Sequence, residues 1–154
     1  MKLSHILTPE QIKLNCEANN LHDLFEELVT LLQSGGFIND KQRICARLLE
    51  REKLGSTAMG EGAAIPHAKI KGLNRTVVLL AISNHGIPFN DDPANRIQLI
   101  VLILSPINSP VSHLQTLAAA ASMIKNCPDF INEIDGMTET DIIEHLKKRE
   151  LEYE

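Results

Sequence analysis

Apolar positions along the chain change period several times. Ile12, Leu14 and Cys16 alternate with polar neighbours, which predicts a first strand after a short lead-in over residues 1–10. Leu21, Leu24, Phe25, Leu28 and Leu32 then recur at helical spacing, with Asn19 or Asn20 as N-cap and Gly35-Gly36 as the stop. A second helix starts at Asn39 or Asp40, buries Ile44, Cys45, Leu48 and Leu49, and ends at Gly55. Two continuous apolar runs follow, Thr76–Ser83 (TVVLLAIS) and Ile97–Leu104 (IQLIVLIL). They are rich in β-branched residues and too short for long helices, so they read as central strands covered on both faces. Between them lies GIPFNDDPANR (86–96), read as a turn-rich loop.

A third helix begins near Ser109-Pro110, or at Ser112 with Gln115 as capping partner. Leu114, Leu117, Ala118, Ala121 and Ile124 are its expected inward face, and the alanines at 118–121 allow close packing. Asp129–Ile134 suits a short helix. A final helix capped near Thr138 or Thr140 buries Ile142, Ile143 and Leu146, and its tail KKRELEYE is expected to fray. Helices, then strands, then helices imply one sheet with helices on both faces.

Composition narrows the function classes. A length of 154 residues suits one domain with a real core. Aromatics make up 3% and Trp is absent, so that core must be aliphatic. Net charge is −5 with no basic block, which argues against non-specific nucleic-acid binding. No run of about 18 apolar residues predicts membrane insertion, and MKLSHILTPE lacks the apolar core of a signal peptide. Cys16, Cys45 and Cys127 are widely spaced and odd in number, which suits reduced thiols in a cytoplasm. Cys45 reads as a small core residue rather than a catalytic one.

The chemistry concentrates in RE-KLGSTAMGEGAAIPHAK, Arg51 to Lys69. Gly55, Gly60 and Gly62 let backbone approach a ligand, and Ser56 and Thr57 add hydroxyls. Pro66 pushes Ile65 towards an extended conformation, so the segment reads as a turn and a strand end that presents His67. An imidazole with an ordinary pKa of about 6.5 is largely neutral and nucleophilic at neutral pH. His113 falls in the first turn of the third helix under either start, where free N–H groups favour an anion. On its own, a histidine in a glycine-rich turn such as His67 is more readily read as a surface or structural residue than as a functional one. Ser56 and Thr57 are as well explained by local turn bonds, and Arg51 by an exposed helix end. The pair Gly60-x-Gly62 lacks the third glycine of a dinucleotide loop, and no P-loop, HExxH or zinc-spaced cysteine pair occurs. His5, His22, His85 and His145 fall in no constellation and read as surface residues. The His67/His113 pair lacks a clear third ligand for a metal.

Together the 51–69 stretch and the second motif SHLQTL (112–117) resemble the type-2 (fructose/mannitol) enzyme IIA domains of the bacterial phosphotransferase system. In that family an Arg-Glu pair, a Ser-Thr pair and a Gly-rich turn precede Ile/Val-Pro-His. The resemblance covers nearly the whole chain. It implies a single domain over 1–154 with a three-layer α/β/α sandwich and a mixed central sheet. It implies that an HPr-like phosphocarrier protein donates a phosphoryl group to His67 through Nε2. His113 would donate a hydrogen bond to a phosphoryl oxygen, Arg51 would support the anion, and Ser56 and Thr57 would line it. No metal or other cofactor is needed.

Two branches follow from the resemblance. In one, the acceptor is a cysteine of an enzyme IIB in sugar transport; in the other, phosphorylation regulates target proteins, as in the nitrogen-regulatory enzyme IIA. The wording REKLGST and IPHAK, with no fused IIB or membrane segment, favours the regulatory branch. A docking module without phosphoryl chemistry and a small metal-binding protein are the alternatives. Glu61 stands where relatives often carry Asn, and Ala68 where they often carry Gly. Glu61 is expected to bring negative charge near the phosphate, offset by Lys69 or Arg51.

Overall fold

The structure is a computed structural model that describes residues 1–90 and 95–153. Its centre is the antiparallel pair β5 (Val77–Pro88) and β6 (Arg96–Pro106), with Val78 opposite Ile103 and Leu80 opposite Val101. Side chains alternate across a strand, and here both faces are covered. Val77, Leu79, Ala81, Ile100, Leu102 and Leu104 pack in one core with α1 (Leu21–Ser34) and α2 (Lys41–Leu54). Val78, Leu80, Ile82, Leu99, Val101 and Ile103 pack in a second core with α3 (Pro110–Asn126), α4 (Phe130–Glu133) and α5 (Glu139–Tyr153). That double burial is why both strands read as unbroken apolar runs. The architecture is the expected α/β/α sandwich.

Among the described residues the sheet has six strands in mixed orientation. β1 (Ile12–Lys13) lies parallel to β5 at one edge. On the far side of β6 run β3 (Ala63–Ala64) and β4 (His67–Ile70), both parallel to it. Pro66 separates them, yet its carbonyl accepts from Ile103 N–H at 2.9 Å, so the two pieces stay in line along β6. β2 (Ala58–Gly60) folds back antiparallel on β3.

Side-chain capping sets the start of α1 but not of α2. The Asn20 side chain accepts from Asp23 N–H at 2.8 Å and opens α1. Asp40 precedes α2 in a left-handed conformation and turns its carboxylate to Arg43 rather than to the helix. Four expectations need correction. The first strand stops at Lys13 because Asn15 is left-handed, although Cys16 N–H still reaches Ile82 O. β5 runs on through Gly86-Ile87-Pro88, residues read from the sequence as loop. Gly86 makes this possible at a register shift, with a positive φ. A Cβ there would sit 2.7 Å from Arg96 Cβ, and Arg96 Nη1 donates to the Gly86 carbonyl. The rest of that loop includes residues 91–94, outside the described residues.

The inward face of α3 is rotated by about one position. His113, Thr116, Ala120, Met123 and Ile124 are buried, whereas Leu114 is 66% exposed and Ala118 is exposed. Two polar residues head the true stripe, so counting apolar positions selected the neighbouring one. Finally, the charged C-terminal segment does not fray within the described residues. Glu150 is buried and accepts hydrogen bonds from the N–H groups of Leu3 and Ser4 and from Ser4 Oγ. The supposed lead-in is therefore clamped to α5, with Leu3 and Leu7 in the second core.

Candidate functional site

The 51–69 segment is braced by a series of short-range bonds. Arg51, in the last turn of α2, donates from Nη1 to Gly55 O at 2.8 Å and satisfies a carbonyl at the helix end. The neighbouring Glu52 accepts from both Thr57 N–H and Thr57 Oγ1. Thr57 O in turn accepts from Ile65 N–H at 3.1 Å. Ile65 O then accepts from His67 Nδ1 at 2.8 Å. Between Thr57 and Ile65 the chain reverses through Gly60, Glu61 and Gly62, all with positive φ. A carbonyl only accepts, so His67 carries its proton on Nδ1. Its Nε2 keeps a free lone pair and has no hydrogen-bond partner among the described residues.

His67 begins β4 at the sheet edge, between α2 on one face and α3 on the other. A cavity of about 510 Å³ opens there, lined by Arg47, Glu50, Arg51 and Leu54 from α2, His67 to Lys69 from β4, and His113, Leu114 and Leu117 from α3. The two imidazole centroids lie 5.6 Å apart. Three cations and a single carboxylate thus border the histidines, and Glu50 pairs with Arg47 at 3.3 Å. Leu54 is 86% exposed and Leu114 66% exposed, so the rim carries apolar side chains beside the exposed Arg47 and Glu50.

His113 is 6% exposed, and its Nδ1 lies 2.7 Å from Ser105 Oγ on β6. Burial lowers its pKa from the ordinary histidine value, and the nearby His67 and Lys69 lower it further. It is therefore neutral at physiological pH. None of the three cysteines is near the cavity, and burial raises every thiol, Cys16 to about 12. They are small core residues rather than nucleophiles.

Of the residues singled out from sequence, the structure brings His67, His113 and Arg51 together. It leaves Ser56 and Thr57 outside the cavity, making local bonds: Ser56 Oγ accepts from Ala58 N–H, and Thr57 binds Glu52. Glu61 is also elsewhere, in a second depression with Met59 and Lys125, so the carboxylate beside the histidines is Glu50. His145 is half-buried, bound to Glu133 and packed against Phe130, rather than a surface residue. Arg47, Glu50 and Ser105 went unnoticed in the sequence. Arg47 was findable, because it lies one helical turn before Arg51 on the same face. Among the described residues no group of three His, Cys, Asp or Glu could hold a metal ion. No described helix is long and apolar enough to cross a membrane.

Comparison with known proteins agrees with this arrangement. The family model "Phosphoenolpyruvate-dependent sugar phosphotransferase system, EIIA 2" matches residues 5–149, and the chain belongs to that family. It is 30% identical over 126 residues to a nitrogen regulatory protein of Bradyrhizobium diazoefficiens, covering 82% of each chain. It is 31% identical over 124 residues to a fructose-specific EIIABC component of Bacillus subtilis, covering 80% of this chain but 20% of that longer protein. The nitrogen regulatory protein IIA-Ntr of Neisseria meningitidis superposes with a TM-score of 0.80 at 28% identity, covering 94% of this chain and 98% of that one.

Proposed function

We propose that the protein is a phosphoryl carrier in which His67 Nε2 accepts a phosphoryl group from an HPr-like phosphohistidine protein. The observation that carries this is the hydrogen bond from His67 Nδ1 to the Ile65 carbonyl, which fixes the tautomer with Nε2 as the bare nitrogen. The Nε2 lone pair attacks phosphorus, a new N–P bond forms, and the donor's N–P bond breaks with its electron pair returning to the donor imidazole. No proton need move, because the positive charge gained by the His67 ring is shared with Ile65 O through the retained Nδ1–H. Like bonds are exchanged, so the step is reversible and near balance, and the protein's task is positioning and charge stabilisation. Arg47, Arg51 and Lys69 supply positive charge around the incoming group. His113 donates a hydrogen bond to a phosphoryl oxygen from the opposite wall. The exposed Leu54 and Leu114 offer the carrier an apolar docking rim that excludes water.

Of the two branches, the regulatory one is our reading. It is supported by the coextensive relatives named as nitrogen regulatory proteins in Bradyrhizobium and Neisseria. The equally similar fructose-specific component supports transfer to an enzyme IIB as the second reading. The test is transfer of labelled phosphate from phosphoenolpyruvate through enzyme I and HPr, with wild type and His67→Ala side by side. Acid-labile label on wild type alone supports the carrier; label on both moves the site, and label on neither leaves a docking module. Discharge of the labelled protein to an enzyme IIB would favour the transport branch.

A further inference from the structure

Ser105 was not among the residues that drew attention in the sequence, yet it lies at the back of the site. It sits on β6, fully buried, and its hydroxyl has one hydrogen-bond partner among the described residues, His113 Nδ1 at 2.7 Å. Two proton arrangements suit that distance. If His113 Nδ1–H donated, the serine proton would be left buried with no acceptor, an outcome that folded proteins avoid. If the serine donates, both atoms of the contact are satisfied: Nδ1 is the bare nitrogen, and the His113 proton resides on Nε2, beside the cavity that the ring lines, where water or a ligand can accept it.

We infer that Ser105 is a positioning residue that fixes His113 in the Nε2–H tautomer, so that a neutral His113 presents a hydrogen-bond donor to the phosphoryl group. This rests on the carrier reading above. The two histidines are then complementary. At His67 a backbone carbonyl takes the Nδ1 proton and leaves Nε2 as nucleophile. At His113 a hydroxyl fills Nδ1 and leaves Nε2 as donor. The depressed pKa of His113 keeps the second ring neutral, so one tautomer rather than a doubly protonated ring has to be chosen.

The test is the long-range proton–nitrogen correlation spectrum of the ¹⁵N-labelled full chain near neutral pH, which reports the tautomer of each imidazole without any phosphoryl transfer. Wild type is expected to show His67 protonated on Nδ1 and His113 on Nε2. In Ser105→Ala the His113 signals should move to a tautomer mixture while those of His67 stay in place. Phosphoryl transfer from HPr should slow by about tenfold, the scale for loss of an outer residue that orients a functional imidazole. Ser105→Cys keeps the shape with a weaker donor and should fall between the two. It also serves as the variant if Ser105→Ala does not fold. His113 protonated on Nδ1 in wild type, or unchanged signals or an unchanged rate in the variants, would overturn the inference. Failure of wild type to accept phosphate would instead sink the carrier reading and leave the tautomer result standing.

Discussion

The two histidines that meet in the cavity are built in opposite ways. His67 is held by its own neighbourhood: Glu52, Thr57 and Ile65 are all within 15 positions of it, and each bond leads to the next. His113 is held from a distance, on a helix packed over the sheet, with its ring fixed by a serine on a strand. The first is half-buried at a strand edge; the second is nearly enclosed. On the carrier reading proposed above, His67 has to meet a partner protein, and a place on an edge suits that. A supporting donor works best where water is excluded and its geometry cannot drift.

The contrast can be broken most directly at its exposed end. His67→Ala should abolish acid-labile phosphate entirely, since on the inference above His113 carries its proton on Nε2 and has its Nδ1 filled by Ser105; retained label would move the nucleophile elsewhere. His113→Ala should leave acceptance possible but slow it by roughly a hundredfold, the usual loss for one preorganised donor. Equal rates would remove His113 from the step. The short-range bracing is tested by Thr57→Val, which removes the hydroxyl that Glu52 accepts from. A loss of about 1.5 kcal/mol is expected in urea unfolding, the scale of a hydrogen bond to a charged group.

Acidity separates the two rings more subtly. A base whose pKa is depressed on folding binds fewer protons folded than unfolded, so its contribution falls as pH drops through the unfolded value of about 6.5. Wild type should therefore lose more stability than His113→Gln between about pH 7.5 and about pH 5.5. Parallel curves would argue that His113 titrates normally. The smallest effect is expected for Ser56→Ala. That hydroxyl caps a local turn outside the cavity, so stability and transfer should change by no more than about 0.5 kcal/mol equivalent.

What was legible in the sequence follows the same division. The His67 segment is contiguous, so its glycines, hydroxyls and proline announce a built turn in plain order. The two central strands were legible because burial on both faces leaves an unbroken apolar run, whereas the short β2 and β3 lie in the stretch read as a turn. The orientation of α3 was not, because its buried stripe begins with His113 and Thr116, polar residues that carry no hydrophobic signal; the first is met by Ser105 on β6 and the second by the Ser112 carbonyl one turn back. Ser105 was invisible for that reason: its meaning depends on a helix that starts five residues later and folds back over it. The clamp between Glu150 and the first turn was hidden too, since a charged tail is ordinarily solvated.

One bond described above bears on how any inactive control should be made. Ile65 lies in the edge segment, with its N–H occupied by Thr57 and its carbonyl by the His67 ring. An imidazole thus covers part of a strand margin, and bare margins of that kind invite another chain to add itself. Alanine at position 67 removes the proposed nucleophile and uncovers the carbonyl together, so altered self-association or partner binding in that variant would have two causes. Glutamine, whose amide can still donate to Ile65 O, removes the imidazole while keeping the margin covered.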